Sequence, residues 1–382
     1  MVTARAATQL PGIERTPTSR ARGVFPSQHI EALIGSQSIS GPDVEDAQVQ
    51  PASLDLRLGS VAYQVRASVL PGKDTVLDAA NEVLVQELDL TRSQVLQRGA
   101  VYLIPAQESL KLPRSVSAKA NPKSTTGRLD VFARLITDRA EQFDTIRSGY
   151  EGNLYIEVSP KTFNVKVRAG TRLNQIRFLY GRPQQDDASK KAALAGEALV
   201  YSKSGEPQKA TVSRGLWLTV DLTGTTDGPI GWRARNNAPV VDFDLVNHYD
   251  PHEFWEQLTQ TNSRLILNPG DFYILSSRER VRVPPAYAAE MVPYDPAMGE
   301  FRAHYAGFFD PGFGYGEGKI EGTRAVLEVR SYDVPYLLRD GQNIARLVYE
   351  QLREVPDKLY GVDVPSSYQN QFLGLGKQFK RG

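Results

Sequence analysis

The sequence predicts an all-β protein made of two related units, and three observations lead to this class. Gly and Pro are frequent, at 31 and 24 of 382 residues. Because Gly and Pro form turns and interrupt helices, this high frequency favours many short strands joined by turns over long helices. Short runs alternate between apolar and polar residues, and the second half of the chain repeats the pattern of the first. We therefore expect sheets throughout, with only a few short helices.

The first unit opens with one predicted helix and then turns to strands. Residues 26–34 (PSQHIEALI) place apolar side chains at helical spacing, and Gly35 ends that pattern. Residues 53–58 (SLDLRL) alternate strictly, so the leucines occupy one face and the polar residues, Asp55 among them, occupy the other. This predicts a strand with one core face and one polar face.

An internal repeat is found when the sequence is shifted by 171 positions. The shift aligns four notable pairs, which are Tyr102 with Tyr273, Glu108 with Glu279, Pro113 with Pro284, and Glu157 with Glu328. We predict a first unit at 24–195, a linker at 196–204 and a second unit at 205–382. Residues 1–23 lack the apolar segment of a secretory signal, so we expect a mobile arm there.

Composition excludes several classes of function. Lys and Arg number 45 against 44 Asp and Glu, so no net field draws the protein to nucleic acid or to a membrane surface. No apolar run approaches the ~18 residues of a membrane span. The absence of Cys removes disulfides and cysteine-ligated zinc, which excludes the zinc-dependent nucleobase deaminases. We expect a cytoplasmic protein that binds neither nucleic acid nor membrane.

Residues 121–128 (NPKSTTGR) form a candidate phosphate-binding turn. Lys123 and Arg128 supply two cations, and Ser124 and Thr125 supply hydroxyl donors. Backbone N–H groups, hydroxyls and cations on one turn suit the oxygens of a phosphate. The alternative is an ordinary polar turn, and this segment alone leaves both interpretations open.

Two repeated glutamates form the second candidate. Glu157 lies in LYIEV and Glu328 in AVLEV, each among apolar strand residues. Such surroundings raise the pKa of a carboxyl group unless it is paired, which suits a general acid or base. The alternative is a solvated glutamate on an edge strand, and its presence in both copies argues against that.

The chain resembles the dUTPase and dCTP deaminase superfamily, because it carries motifs of that superfamily in the order in which the superfamily has them. In the first unit these are residues 50–59 (QPASLDLRLG), Lys123-Ser124 with Arg128, residues 146–157 (IRSGYEGNLYIE), and residues 168–170 with Gln175. The second unit repeats the later motifs at residues 309–314 (FDPGFG), 325–328 and 339–341. Its end, with Tyr360 and residues 368–371 (YQNQ), resembles the tail of the deaminases, which implies that the second unit ends in a nucleotide-closing tail. The resemblance covers most of the chain and points to the long, two-unit dCTP deaminases.

The resemblance implies both a fold and a reaction. Each unit would be a dUTPase-like distorted jelly-roll β-barrel, and the units would assemble in threes as a homo-oligomer with nucleotide sites between neighbours. A glutamate would activate a water that attacks C4 of the cytosine, converting dCTP to dUTP and ammonia without zinc. Mg²⁺ would arrive bound to the substrate triphosphate. dTTP is a candidate inhibitor.

The resemblance also assigns roles to ten residues and no metal ligand. The catalytic group comprises Glu328, Asp310, Ser124, Arg128 and Glu157. The substrate-binding group comprises Lys123, Thr125, Tyr360, Tyr368 and Gln371.

Neither unit holds the full set of motif residues. The first has Arg147 where the motif carries an Asp, and in the second unit the counterpart of the phosphate turn, residues 293–299 (PYDPAMG), lacks both Ser and Arg. A tail position that is usually Lys is Ser367. We therefore hypothesise one composite site that takes Ser124 and Arg128 from the first unit and Asp310, Glu328, Tyr360 and Gln371 from the second. Glu157 would then be a structural or vestigial copy.

Two other functions remain open from the sequence. One is a dUTP diphosphatase, which forms dUMP and pyrophosphate on the same fold, or an enzyme that carries out both reactions. The other is a nucleotide-binding protein without catalysis, which the incomplete motif sets would suit. Product analysis separates the enzymes from each other, and binding without ammonia release would identify the third case.

Overall fold

The computed structural model describes residues 22–181, 192, 196–224, 228–259, 262–292, 301–304, 307–315, 321–331, 333–364, 368 and 373–381. Strand content is 44% and helix content 9%, so the predicted all-β class is confirmed. The helices are α1 (Ser27–Gly35), α2 (Val76–Asn81), α3 (Ser124–Gly127) and α4 (Pro251–Phe254), with a 3₁₀ turn at Asp46–Gln48. None of the helices in these ranges has the length and apolar character needed to cross a bilayer.

The first thirteen strands belong to the first half of the chain. They are β1 (Gly23–Val24), β2 (Ile39–Ser40), β3 (Leu54–Leu56), β4 (Val61–Val65), β5 (Leu84–Asp89), β6 (Gln94–Leu96), β7 (Val101–Lys111), β8 (Val116–Pro122), β9 (Val131–Thr137), β10 (Thr145–Ile146), β11 (Glu151–Pro160), β12 (Val165–Val167) and β13 (Asn174–Tyr180).

The remaining strands belong to the second half. They are β14 (Val200–Tyr201), β15 (Pro207–Gln208), β16 (Leu216–Thr219), β17 (Gly231–Ala234), β18 (Val241–Asp242), β19 (Trp255–Leu258), β20 (Arg264–Leu267), β21 (Phe272–Val281), β22 (Tyr287–Val292), β23 (Phe301–His304), β24 (Phe308–Phe309), β25 (Thr323–Ser331), β26 (Tyr336–Arg339) and β27 (Asn343–Gln351).

Two antiparallel sheets enclose the core of the first unit. One has the order β1-β13-β8-β10, and β3 also pairs with β13. The other has the order β5-β4-β7-β11-β9, and β2 also pairs with β7. Alternate side chains of a strand point to opposite faces, so Leu54 and Ile176 from one sheet meet Ile104 and Ile156 from the other in a single apolar cluster. The predicted helix at 26–34 corresponds to α1.

The second unit repeats this architecture in the same register. Its larger sheet contains β21 and β25, and its smaller sheet has the order β16-β27-β22-β24. Leu103 pairs with Glu157 in the first unit, and Ile274 pairs with Glu328 in the second, so both partners are shifted by the same 171 positions. The internal repeat is therefore a structural one, and the predicted tandem all-β fold is confirmed.

The two units pack closely against each other. Strand β18 of the second half pairs in parallel with β12 of the first half. Trp255 and Phe379, both from the second half, are buried in the apolar cluster of the first unit. Because burial of large aromatic side chains contributes about 1.5–3 kcal/mol each, this shared core ties the C-terminal segment to the first unit.

The boundaries between arm, units and linker stay predictions. Gly23, placed in the predicted arm, begins β1, whereas residues 1–21 lie outside the described part of the chain. Val200–Tyr201, placed in the predicted linker, form β14 and pair with β21 of the second unit. Most of residues 184–195 lie outside the described ranges.

A buried ion pair joins the units beside the repeated glutamate of the second unit. Arg330 on β25 donates a hydrogen bond to Asp130 of the first unit and another to Thr162 Oγ1 at 2.9 Å. Asp130 is fully buried, and only 12% of the Arg330 side chain is exposed. Because a buried charge depends on its partner for solvation, this pair fixes β25 against the first unit.

We expect Arg330→Gln to lower the free energy of unfolding by about 3 kcal/mol, because it leaves the Asp130 carboxylate buried without its guanidinium. Urea unfolding followed by circular dichroism measures the change. Lys111→Gln is the control, because Lys111 and Glu151 form a pair whose side chains are 70% and 67% exposed. That variant should change stability by less than ~1 kcal/mol. Equal effects of the two substitutions would contradict the assigned role of Arg330.

Candidate active site

One large pocket lies between the two units. Its volume is about 1210 Å³, and both units contribute to its walls. Eight of the ten predicted site residues line it, namely Lys123, Ser124, Thr125, Arg128, Asp310, Glu328, Tyr360 and Tyr368. A large pocket with convergent polar groups is the usual form of a small-molecule site.

The candidate phosphate turn forms one wall of this pocket. Strand β8 ends at Pro122, and the single-turn helix α3 follows directly, which holds the turn against the barrel. Thr126 donates to the Leu173 carbonyl at 2.8 Å, so its hydroxyl serves the fold. Lys123 Nζ lies 2.5 Å from Asp55 Oδ1, and only 3% of Asp55 is exposed. Asp55 thus orients the Lys123 ammonium at the pocket.

Arg128 is held in place by the C-terminal tail. Its Nη1 donates to the Gly374 carbonyl at 2.6 Å, and its guanidinium lies 3.8 Å from the centre of the Tyr368 ring. The Tyr368 hydroxyl is 2.5 Å from Thr125 Oγ1. A cation over an aromatic face is attracted by the ring's negative potential, so Tyr368 and the turn fix the guanidinium together.

Glu328 faces Arg128 across the boundary between the units. Its Oε1 lies 4.0 Å from Arg128 Nε, and the two side chains are 7% and 4% exposed. Burial raises the pKa of Glu328 from 4.5 to about 8, although the Arg128 charge acts in the opposite direction. A carboxyl group with a pKa near neutral pH can both accept and release a proton.

Asp310 lies on the turn that follows β24. Arg177 Nη2 contacts its Oδ1 at 3.4 Å, and Arg177 is fully buried. Burial raises the pKa of Asp310, while the charges of Arg177 and Lys123 lower it. Gly312 in this turn has φ of +94°, and a Cβ there would lie 3.0 Å from the Tyr360 backbone N, so only glycine fits beside Tyr360.

Glu157 is not among the residues that line the pocket. Arg134 Nη2 contacts its Oε1 at 2.5 Å, and the Ser68 hydroxyl donates to its Oε2 at 2.6 Å. Both oxygens are therefore engaged by residues of the first unit. Arg147 follows β10 as Asp310 follows β24, and it is exposed.

Some predictions fall outside the described residues. Gln371, Ser367 and residues 293–299 belong to this group, so their roles stay predictions. The roles assigned to the other residues also stay predictions, although eight of them share the pocket. No group of three or more His, Asp or Glu residues that could hold a metal is found within the described ranges.

Sequence reasoning missed several charged residues of the pocket. Asp55, Arg172, Asp244, Lys358 and Lys377 all line it. Asp55 could have been found, because it lies on the polar face of the alternating SLDLRL segment. Asp244 and Lys377 lie in segments without a repeating pattern, so nothing local in the sequence singles them out.

Comparison with known proteins identifies the family. The model of the 2'-deoxycytidine 5'-triphosphate deaminase N-terminal domain matches residues 21–182, and the model of the C-terminal domain matches residues 186–379. The chain belongs to the dCTP deaminase family. In this dCTP deaminase family member, the N-terminal match contains Arg128 and the C-terminal match contains Glu328, so the pocket draws on both family domains.

Relatives and a solved structure agree with this assignment. A dUMP-forming dCTP deaminase of Halobacterium salinarum is 30% identical over 36% of this chain and 67% of that protein. A dUMP-forming dCTP deaminase of Sulfurihydrogenibium sp. is 26% identical over 47% of this chain and 88% of that protein. The crystal structure of 2'-deoxycytidine 5'-triphosphate deaminase from Agrobacterium tumefaciens is 48% identical, with a TM-score of 0.83, over 90% of this chain and all of that one.

We expect Glu328→Gln to make this dCTP deaminase family member more stable at pH 8 but not at pH 4. Below pH 4.5 the carboxyl group is protonated in both the folded and unfolded states. Between pH 4.5 and about 8 the unfolded state ionises while the folded state stays protonated, so the wild type loses stability as pH rises. Glutamine has no such loss, and the difference should grow by at most about 1.4 kcal/mol per pH unit.

Urea unfolding of both proteins across pH 4–9 measures this difference. Glu151→Gln is the matched control, since the Glu151 side chain is 67% exposed. A stability difference between Glu328→Gln and wild type that stays constant with pH would refute the effect of burial.

Proposed function

We propose that this protein deaminates dCTP hydrolytically to dUTP and ammonia in the pocket between its two units. The observation that carries the proposal is the buried Glu328 carboxyl group, 4.0 Å from Arg128, in a chain of the dCTP deaminase family. The relatives described above are dCTP deaminases, which supports dCTP as the substrate.

Glu328 is proposed as the general acid and base. The ionised carboxylate takes a proton from water as the water oxygen bonds to C4 of the cytosine ring. It then passes that proton to the ring nitrogen N3. The hydroxyl group now on C4 gives up its proton, through Glu328, to the amino group, which leaves as ammonia while the C4 carbonyl forms. One water is consumed for each dUTP and ammonia formed. Positioned general acid and base catalysis commonly contributes ~10²- to 10⁴-fold.

Arg128 and Ser124 are proposed to position the reacting water. The Arg128 charge favours the ionised form of Glu328, whereas burial favours the protonated form. These opposed effects suit a group that must change its protonation state twice in one turnover. Because Gly374 and Tyr368 fix Arg128, little rearrangement is needed before reaction.

The remaining site residues are proposed to hold the nucleotide. Lys123 and Thr125 would bind phosphate, and Tyr360 with Gln371 of the tail would close over the nucleotide. Asp310 offers a buried carboxyl group to the nucleoside. Mg²⁺ would enter bound to the nucleotide substrate, where it would neutralise part of the phosphate charge that Lys123 faces.

The wider biological setting is also proposed. We expect a cytoplasmic enzyme, a trimer-based homo-oligomer and inhibition by dTTP, and no binding to nucleic acid or membranes. Within the described residues, Arg128 and Glu328 come from one chain, so the pocket does not need a second chain to bring this pair together.

A second candidate function is formation of dUMP from the same substrate. It is favoured by the names of two relatives, which are dUMP-forming dCTP deaminases. Chromatography of the products from dCTP separates the two functions. dUTP with ammonia supports deamination alone, and dUMP with pyrophosphate supports the bifunctional reaction.

We expect Glu328→Gln to lower kcat for ammonia release by at least ~10²-fold, because the amide cannot accept the proton from water. Glu157→Gln is the matched control at the same position of the repeat, and its kcat should stay within a few-fold of wild type. Coupled detection of ammonia from dCTP measures both. Loss of activity in Glu157→Gln with retention in Glu328→Gln would invert the assignment.

The rate should also depend on pH through Glu328. Only the ionised carboxylate can accept the proton, so kcat/KM for dCTP should rise with pH and level off above the pKa of about 8. Below that value it should fall about tenfold per pH unit. Initial rates between pH 6 and 9.5 provide the measurement, and a flat profile across this range would exclude Glu328 as the base in the free enzyme.

A further inference from the structure

Lys377 is a cation of the pocket that no family motif includes. It belongs to the C-terminal tail and lines the pocket together with Lys123 and Arg172. The tail reaches this place after crossing the phosphate turn, since the Gly374 carbonyl accepts a hydrogen bond from Arg128. The side chain of Lys377 is half-buried.

The backbone on either side of Lys377 is firmly anchored. Asn247 N donates to the Lys377 carbonyl at 2.8 Å, and Tyr249 N donates to the Gln378 carbonyl at 3.0 Å. The next residue, Phe379, is 3% exposed and packs in the core of the first unit. Lys377 is therefore presented to the pocket by fixed backbone, so little entropy is lost when a ligand engages it.

The electrostatic surroundings of Lys377 favour an anion. Burial lowers its pKa, and the nearby charges of Lys123 and Arg172 lower it further, against the opposing charges of Asp244 and Asp55. Asp55 is already engaged by Lys123 at 2.5 Å. No carboxylate of the described residues lies within 4.0 Å of the Lys377 ammonium, in contrast to Lys123.

We infer that Lys377 binds the polyphosphate of the nucleotide, together with Lys123, and so sets the preference for a triphosphate over fewer phosphates. This inference rests on the proposed function for the identity of the nucleotide. A polyphosphate carries enough negative charge to engage both ammonium groups at once through charge-assisted hydrogen bonds. The tail position that is usually Lys is Ser367 in this chain, and Lys377 would supply the missing tail cation.

Inorganic tripolyphosphate is the probe that tests this inference without any chemistry on the base. Titration calorimetry with the full chain should show binding to wild type that is weakened about tenfold or more in Lys377→Gln and largely retained in Lys377→Arg. Lys380→Gln is the matched control, because Lys380 is an exposed tail lysine outside the pocket. It should bind tripolyphosphate as wild type does.

Kinetics with a phosphate series give the second readout. In Lys377→Gln the KM for dCTP should rise about tenfold while that for dCMP stays nearly unchanged and kcat is preserved. Equal tripolyphosphate affinity in Lys377→Gln and wild type, or equal KM increases for dCTP and dCMP, would overturn the inference. Absence of ammonia release by the wild type would instead refute the proposed function, and the calorimetry would still decide the role of Lys377.

Discussion

The site depends on one electrostatic contact, between a carboxyl group of the second unit and a guanidinium of the first. Glu328 and Arg128 are both buried; burial raises the pKa of Glu328 to about 8, and the Arg128 charge acts in the opposite direction. Their approach requires the two barrels to stay packed in one arrangement. The Asp130 and Arg330 pair serves this purpose, because Asp130 lies two residues after Arg128 and Arg330 lies two residues after Glu328. The interface between the units is therefore also the framework of the pocket.

A second cluster of charged residues, partly or fully buried, supports the same interface from the side of Asp310. Lys119 of the first unit contacts Glu290 and lies 2.8 Å from Glu350 Oε1, while Arg177 lies 3.4 Å from both Glu350 and Asp310. Lys119 and Glu290 are equivalent positions of the repeat, so duplication has placed opposite charges at matching sites. Opposite charges at matching positions favour pairing of unlike units over like ones.

The two units differ in the motif residues that they carry. The first keeps the phosphate turn and has Arg147 in place of the motif aspartate, whereas the second keeps Asp310 and Glu328. In the first unit, Arg134 and Ser68 bind the two carboxylate oxygens of Glu157, so this glutamate is part of the barrel wall. Identical residues at one register therefore have different surroundings.

Sequence patterns alone predicted the all-β class, the repeat and the equivalence of Glu157 and Glu328 within it, because alternation and register can be read along the chain. They also indicated the phosphate turn and the polar face that carries Asp55. They could not decide which glutamate faces the pocket, nor that Lys377 lines the same pocket as Lys123, because those facts depend on contacts between segments far apart in the chain. These charges come together because one barrel packs on the other and the C-terminal tail contacts both.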